Sequence, residues 1–261
     1  MDHPDRPPSD PTTHPVVVAV RDAIVEMVGR SLVGLSLYGS LATGDFEEHV
    51  SDIDLIAVLT DVPDASFLAR LREMHARLAQ AHPDWDDRIE VDYVSTRGLA
   101  ECRTRTTKIA RISPGEPLHL IEAGRDFLLD WYPARRDGVA LVGPPLDSLI
   151  PPIPEREYRD EVIAYLAGFR DRFDEDASVR SQAYAILTMC RGFYSITARE
   201  RLSKRRAGLR ARRDFPRWDL LIGRALGWRD GQWDPEQPDG STSVVETRSF
   251  INAMADLLDL P

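Results

Sequence analysis

The chain has 261 residues, room for two modest domains or one large one. Hydrophobic residues make up 43%, enough for a real core, yet no run approaches the ~18 apolar residues of a membrane-spanning helix. A net charge of −10 disfavours a nucleic-acid partner, because phosphate backbones attract basic surfaces, and is compatible with a polycationic small substrate.

The first stretch, 1–15, is rich in Pro, Ser and Thr and reads as a disordered tail. It has neither the basic nor the apolar region of a signal peptide, so a cytoplasmic location is expected. Val16 to Val28 has helical spacing. Leu32 to Tyr38 reads as a strand ending in a glycine turn at Gly39-Ser40, and Leu41 to Thr43 as a short helix facing that turn. Backbone N–H groups there, with the Ser40 hydroxyl, can hold a phosphate. Eleven residues separate Ser40 from Asp52-Ile53-Asp54, which opens a second strand running to Leu59. Residues i and i+2 of a strand share a face, so Asp52 and Asp54 point the same way while Ile53 and Leu55 point into a core. Two adjacent carboxylates repel unless a cation lies between them, and hard oxygen ligands of this kind suit Mg²⁺.

Asp64 to Ala81 is the next helix, with Asp64 as N-cap and Leu68, Leu71 and Leu78 as its stripe. Ile89 to Val94 is a third strand, on which Glu90 and Asp92 share one face. Either acid can serve as a metal ligand, as a general base, or as an ordinary solvated position on the strand. Residues 98–120 give no clear element apart from a turn at Pro114-Gly115. Cys102 and Cys190 fit no metal-binding spacing.

Pro144-Pro145 and Pro151-Pro152-Ile153-Pro154 form the strong internal breaker cluster, and the domain boundary is placed there. The chain beyond Pro154 reads as helical: Glu155 to Phe173, Val179 to Leu202, Asp219 to Leu226 and Val244 to Leu260, with a Pro/Gly loop at 231–241. The expected fold class is α+β, an N-terminal domain with a mixed sheet and flanking helices followed by an all-helical bundle. Arg191 is a lone arginine in the apolar stretch from Ala183 to Ile196, which predicts a charge on an inward face. Such a charge needs a partner, either a triphosphate or an Asp of the first domain. Lys204 opens a basic run through Arg213, of a kind that is most often solvated surface.

The Gly-Ser, spacer, Asp-x-Asp pattern resembles the nucleotidyltransferase superfamily that includes DNA polymerase beta. Tyr-Gly-Ser at 38–40, Ser-Asp-Ile-Asp-Leu at 51–55, Ala-Leu-Val-Gly-Pro at 140–144 and Ile-Pro-Pro-Ile-Pro-Glu at 150–155 narrow the likeness to the streptomycin/spectinomycin adenylyltransferases. That resemblance implies a nucleotidyltransferase domain over 16–148 and a helical substrate- and nucleotide-binding domain over 149–261. It implies ATP as co-substrate and Mg²⁺ in a two-metal arrangement on Asp52 and Asp54. It implies nucleotide contacts from Gly39, Ser40, Ser51, Arg191 and Lys204. Ile-Glu-Val at 89–91 is similar to the family strand that bears its catalytic glutamate, which favours Glu90 over Asp92 as base. The acceptor implied is an aminoglycoside or aminocyclitol hydroxyl, and the protein a monomer. Streptomycin-accepting members carry a tryptophan where this chain has Ala123, and an acidic residue where it has Ser181. These departures favour a spectinomycin-like acceptor.

Overall fold

The structure, a computed structural model, describes residues 10–174, 176–232 and 240–260. Residues 1–9 of the expected tail and most of the 231–241 loop lie outside the described residues. The chain forms two compact units, Met1–Pro154 and Glu155–Pro261.

The first unit is built on a six-stranded mixed sheet. Its strands are β1 (Leu32–Tyr38), β2 (Ile53–Leu59), β3 (Ile89–Ser95), β4 (Thr107–Ser113), β5 (Glu116–Ala123) and β6 (Val139–Val142), in the spatial order β5-β4-β3-β2-β1-β6. β2 and β3 pair in parallel and every other neighbour is antiparallel. A parallel pair needs a long crossover, which contains the helix α3 (Ala65–Ala81). The Asp64 carboxylate accepts from Phe67 N at 2.7 Å and caps that helix.

The sheet is covered on both faces. Leu35, Leu37, Ile53, Leu55, Ala57, Val91 and Tyr93 face one core with α1 (Pro15–Val28) and α3. Ile56, Val58 and Val94 face the other with α5 (Leu128–Asp137), which supplies the fully buried Trp131. Three short helices complete this unit: α2 (Gly39–Thr43), α4 (Thr96–Glu101) and α6 (Leu146–Leu149). β2 is thus apolar on both faces except at its start. There Asp54 interrupts the face that Ile56 and Val58 continue.

Two differences from the sequence-based expectations arise here. The stretch from Asp10 to Pro15, expected as tail, is ordered: Asp10 caps a 3₁₀ turn at Pro11–Thr13, and His14 packs edge-on to Phe46 and Trp85. The undecided 98–120 region holds α4 and the β4–β5 hairpin, with Gly115 in its turn at φ 81°.

The second unit is all-helical: α7 (Glu155–Ala167), α8 (Phe169–Arg172), α9 (Val179–Thr197), α10 (Lys204–Asp214), α11 (Asp219–Arg229) and α12 (Gly240–Leu257). The single helix expected over 155–173 breaks at Gly168, whose carbonyl accepts from Arg172 Nε at 3.1 Å. α9 is the central element, packed by α7, α10, α11 and α12. The basic run from Lys204 is a helix, with Ser203 as N-cap, and it buries a face of small residues, Ala207, Gly208 and Ala211. Among the described residues no helix is long and apolar enough to cross a membrane.

Candidate active site

Tyr38 ends β1, and Asp54 and Glu90 each stand second on their strands. The registers Tyr38↔Asp54 and Asp54↔Glu90 set the three side by side in one row. Directly paired residues share a face, and neighbouring strands lie about 4.8 Å apart. The next row reads Ile56, Asp92, Arg111.

Gly39 follows this row with φ 71°, in the left-handed region. A Cβ there would overlap the Asp54 carboxylate. Only glycine therefore lets the turn close against the acid. Ser40 is half-buried on the first turn of α2, whose N-terminus no side chain caps. Ser51 is buried, and its Oγ accepts from Glu47 N at 3.0 Å, so its oxygen is used inside the loop that precedes β2. Asp52 is half-buried, one residue before β2, on the Asp54 side of the strand by alternation.

Arg111, on β4, organises the acids. Its Nη2 donates to Glu90 Oε1 at 2.8 Å and its Nη1 to Asp92 Oδ1 at 3.0 Å, with Asp130 Oδ2 at 3.6 Å. Burial opposes the Arg111 charge, but Asp92, Glu90 and Asp130 outweigh it and hold the group firmly cationic. Tyr38 donates its hydroxyl to Glu90 Oε1 at 3.2 Å, and Trp131 Nε1 donates to Asp92 Oδ2 at 3.2 Å. Burial, with Asp130 and Glu90 nearby, raises the Tyr38 phenol well above its usual range, so it stays a donor.

The two β3 acids differ in what is left over. Asp92 is fully buried and both its oxygens are taken. Glu90 keeps 15% side-chain exposure, and both its hydrogen bonds fall on Oε1. Burial raises the Glu90 pKa to about 7, with Arg111 opposing and Asp130 and Asp92 adding to the rise. Burial raises Asp92 to about 6, again with Arg111 opposing. A carboxylate titrating near neutrality with one oxygen to spare is suited to take a proton.

The donor set fits a magnesium ion through Asp52 and Asp54: both are hard oxygen donors at one strand end, and the missing Cβ of Gly39 is what lets the Asp54 carboxylate sit against the turn that carries Ser40. Glu90 is drawn toward Arg111, and among the described residues no group of three or more acidic, His or Cys side chains is set to hold an ion.

In the second unit, Arg191 corrects an expectation. It is exposed, not inward, on the side of α9 that also carries Tyr184. The two are seven residues apart, hence on one face. Lys204 Nζ stands 4.1 Å over the Tyr184 ring, and Tyr184 OH lies 2.7 Å from Tyr165 OH. Burial raises the Tyr165 phenol, as does Tyr184, while the charges of Arg191 and Arg172 oppose the rise. Arg191 and Lys204 thus border one tyrosine pair. Further along the basic run, Arg205 pairs with Asp230, Arg210 with Glu200 and Arg212 with Asp219.

Arg111, Tyr38, Asp130 and Trp131 were not singled out from the sequence as site residues. Arg111 left a usable signal: a lone arginine between Ala110 and Ile112, the pattern that drew attention to Arg191.

Residues 18–113 match the family model of the nucleotidyltransferase domain, and residues 148–255 that of the aminoglycoside adenylyltransferase C-terminal domain. The chain belongs to the aminoglycoside adenylyltransferases. It is therefore an enzyme of the nucleotidyltransferase superfamily. A crystal structure of spectinomycin adenyltransferase AAD(9) from Enterococcus faecialis, with ATP and spectinomycin, is similar to this adenylyltransferase with a TM-score of 0.69 and 16% identity, covering 91% of this chain and 98% of that one. At that identity the likeness shows a shared fold. No curated protein matches the chain.

Proposed function

We propose that this adenylyltransferase transfers AMP from ATP to a hydroxyl of an aminoglycoside or aminocyclitol, spectinomycin-like rather than streptomycin. The observation that carries the chemistry is the Tyr38–Asp54–Glu90 row closed by Gly39. Glu90 takes the proton of the acceptor hydroxyl on its spare oxygen. The acceptor oxygen bonds to the α-phosphorus of ATP, the bond to the β-phosphate oxygen breaks, and pyrophosphate leaves. Arg111 and Tyr38 hold Glu90 in place for this transfer.

Gly39 and Ser40 lie against the nucleotide, Ser51 shapes the loop beside it, and Arg191 and Lys204 supply cations to the triphosphate. Mg²⁺ held by Asp52 and Asp54 would neutralise part of the phosphate charge. The missing family tryptophan at Ala123 and acid at Ser181 support the choice of acceptor, as does the spectinomycin bound by the structural neighbour. RNA as acceptor draws only on the basic run, and the pairing of its arginines with carboxylates counts against it.

The test is a panel of aminoglycosides and aminocyclitols incubated with ATP and Mg²⁺ and read by mass spectrometry for the gain of one AMP. Asp52→Asn and Asp54→Asn serve as inactive controls. Addition to spectinomycin and not to streptomycin is the expected outcome. Near-normal turnover in both Asn variants would sink the metal assignment.

A further inference from the structure

Asp52 lies one residue outside the β2 ladder, so its placement depends on the two peptide groups that flank it. Both are bonded to one residue. The Ser51 carbonyl accepts from Arg88 Nη2 at 2.6 Å. The Ile53 N–H donates to the Arg88 carbonyl at 2.9 Å. The same Nη2 donates to Glu48 O at 2.7 Å, and Nη1 donates to Asp84 O at 3.3 Å. Arg88 thus grips the chain before Asp52 with its side chain and the chain after it with its backbone.

The guanidinium is itself held. It lies 4.2 Å over the Trp85 ring, Phe46 stacks on Trp85 at 6.2 Å, and His14 meets both rings edge-on. His14 Nε2 also stands 3.4 Å from Glu48 Oε2. Backbone carbonyls bonded by a planar cation that is stacked on an aromatic ring make a stiff joint. Lysine lacks the fork that reaches several acceptors in one plane.

We propose that Arg88 is a positioning residue for Asp52, fixing the carboxylate for its metal through the peptide groups on either side. This rests on the reading of Asp52 as a Mg²⁺ ligand. Residues that orient metal ligands without touching the metal typically cost about 10–100-fold in metal affinity when lost.

The test begins on the metal-free protein. Amide hydrogen exchange over 47–53 should quicken in Arg88→Gln by at least about tenfold, with β1 and the rest of β2 unchanged, and half as much or less in Arg88→Lys. The Mg²⁺ concentration that half-saturates AMP transfer should rise by about 10–100-fold in Arg88→Gln, with the acid limb of the pH–rate profile where it was. If Arg88→Gln does not fold, Arg88→Lys and Trp85→Leu carry both measurements, each expected to shift in the same direction. Exchange within twofold of the parent protein overturns the proposal. So does quickened exchange with an unmoved Mg²⁺ requirement, which would make Arg88 a loop staple only. Absence of any transfer by the parent protein would instead fail the functional reading, and the exchange measurement would still decide whether Arg88 holds the loop.

Discussion

Arg111 lies 2.8 Å from Glu90 Oε1, and the bond occupies the oxygen that Tyr38 also uses. A single cation therefore fixes the orientation of Glu90 while leaving Oε2 for the proton transfer proposed above. It also opposes the rise that burial forces on the Glu90 pKa.

The pH profile should report this arrangement. Glu90 must be deprotonated to act as base, so kcat should fall as pH drops through about 7. Glu90→Gln should lower kcat by at least about 10²-fold with ATP affinity little changed. Arg111→Gln removes the opposing charge, so the acid limb should move to higher pH. If Asp92→Asn gives the kcat loss and Glu90→Gln does not, the base has been assigned to the wrong member of the pair.

Gly39→Ala asks whether the closeness of turn and acid matters. A methyl group at φ 71° is strained, and here it would also meet the Asp54 carboxylate. The strain alone is worth about 1–3 kcal/mol. Transfer should be abolished while the thermal midpoint drops only modestly, as read by a melting curve beside an activity assay. A fully active Gly39→Ala would show that the turn and Asp54 move independently.

Arg191→Ala addresses the second unit. Exposure means that removing the side chain leaves no cavity, so a binding defect cannot be blamed on misfolding. ATP affinity by calorimetry should weaken by about 1.5–3 kcal/mol, the range for a hydrogen bond to a charged group. An unchanged dissociation constant would remove Arg191 from the nucleotide site.

His75 gives a stability prediction unconnected with catalysis. It is buried on α3, with Nε2 2.8 Å from Tyr93 OH, and burial lowers its pKa from 6.5 to about 4. The unfolded chain therefore takes up a proton more readily than the folded one. The contribution is complete above pH 6.5 and is lost as pH falls toward 4, reaching about 3 kcal/mol. Glu90 and Asp92, with raised values, act in the opposite direction over part of this range. The quantity to measure is thus the difference between the parent protein and His75→Gln in urea melts at pH 7 and pH 4.5. An equal response of the two proteins to acid would contradict the assignment.

The parts legible in the sequence were those written in short-range pattern. Alternation along Ile89–Ser95 is enough to put Glu90 with Asp92, because a strand's period of two admits no other arrangement, and carrying the alternation of Ile53–Leu59 back beyond its first residue puts Asp52 with Asp54. α10 was missed as a helix because its buried face is made of Ala207, Gly208 and Ala211, which carry too little hydrophobic contrast among arginines. The rank of Glu90 over Asp92 needed resemblance. The structural difference between the two acids, Trp131 and Arg111 taking both Asp92 oxygens, comes from elements far along the chain. Arg191 was misjudged because apolar neighbours in sequence do not say which side of a helix a residue takes. α9 leaves one stripe exposed, and Arg191 is on it.

The pairing of β2 with β3 couples a folding error to a chemical one. In the observed register Ile53, Leu55 and Ala57 stand beside Ile89, Val91 and Tyr93, and Asp54 beside Glu90. A slip by one residue would bring Asp54 opposite Ile89 or Val91 and push the Glu90 side of β3 against an apolar core. Every misregistered chain would lose core burial and the acid pair in the same step. A well-packed sheet therefore also preserves the acid pair to which the reaction is assigned above, and length changes should be tolerated in the crossover between these strands but not within either of them.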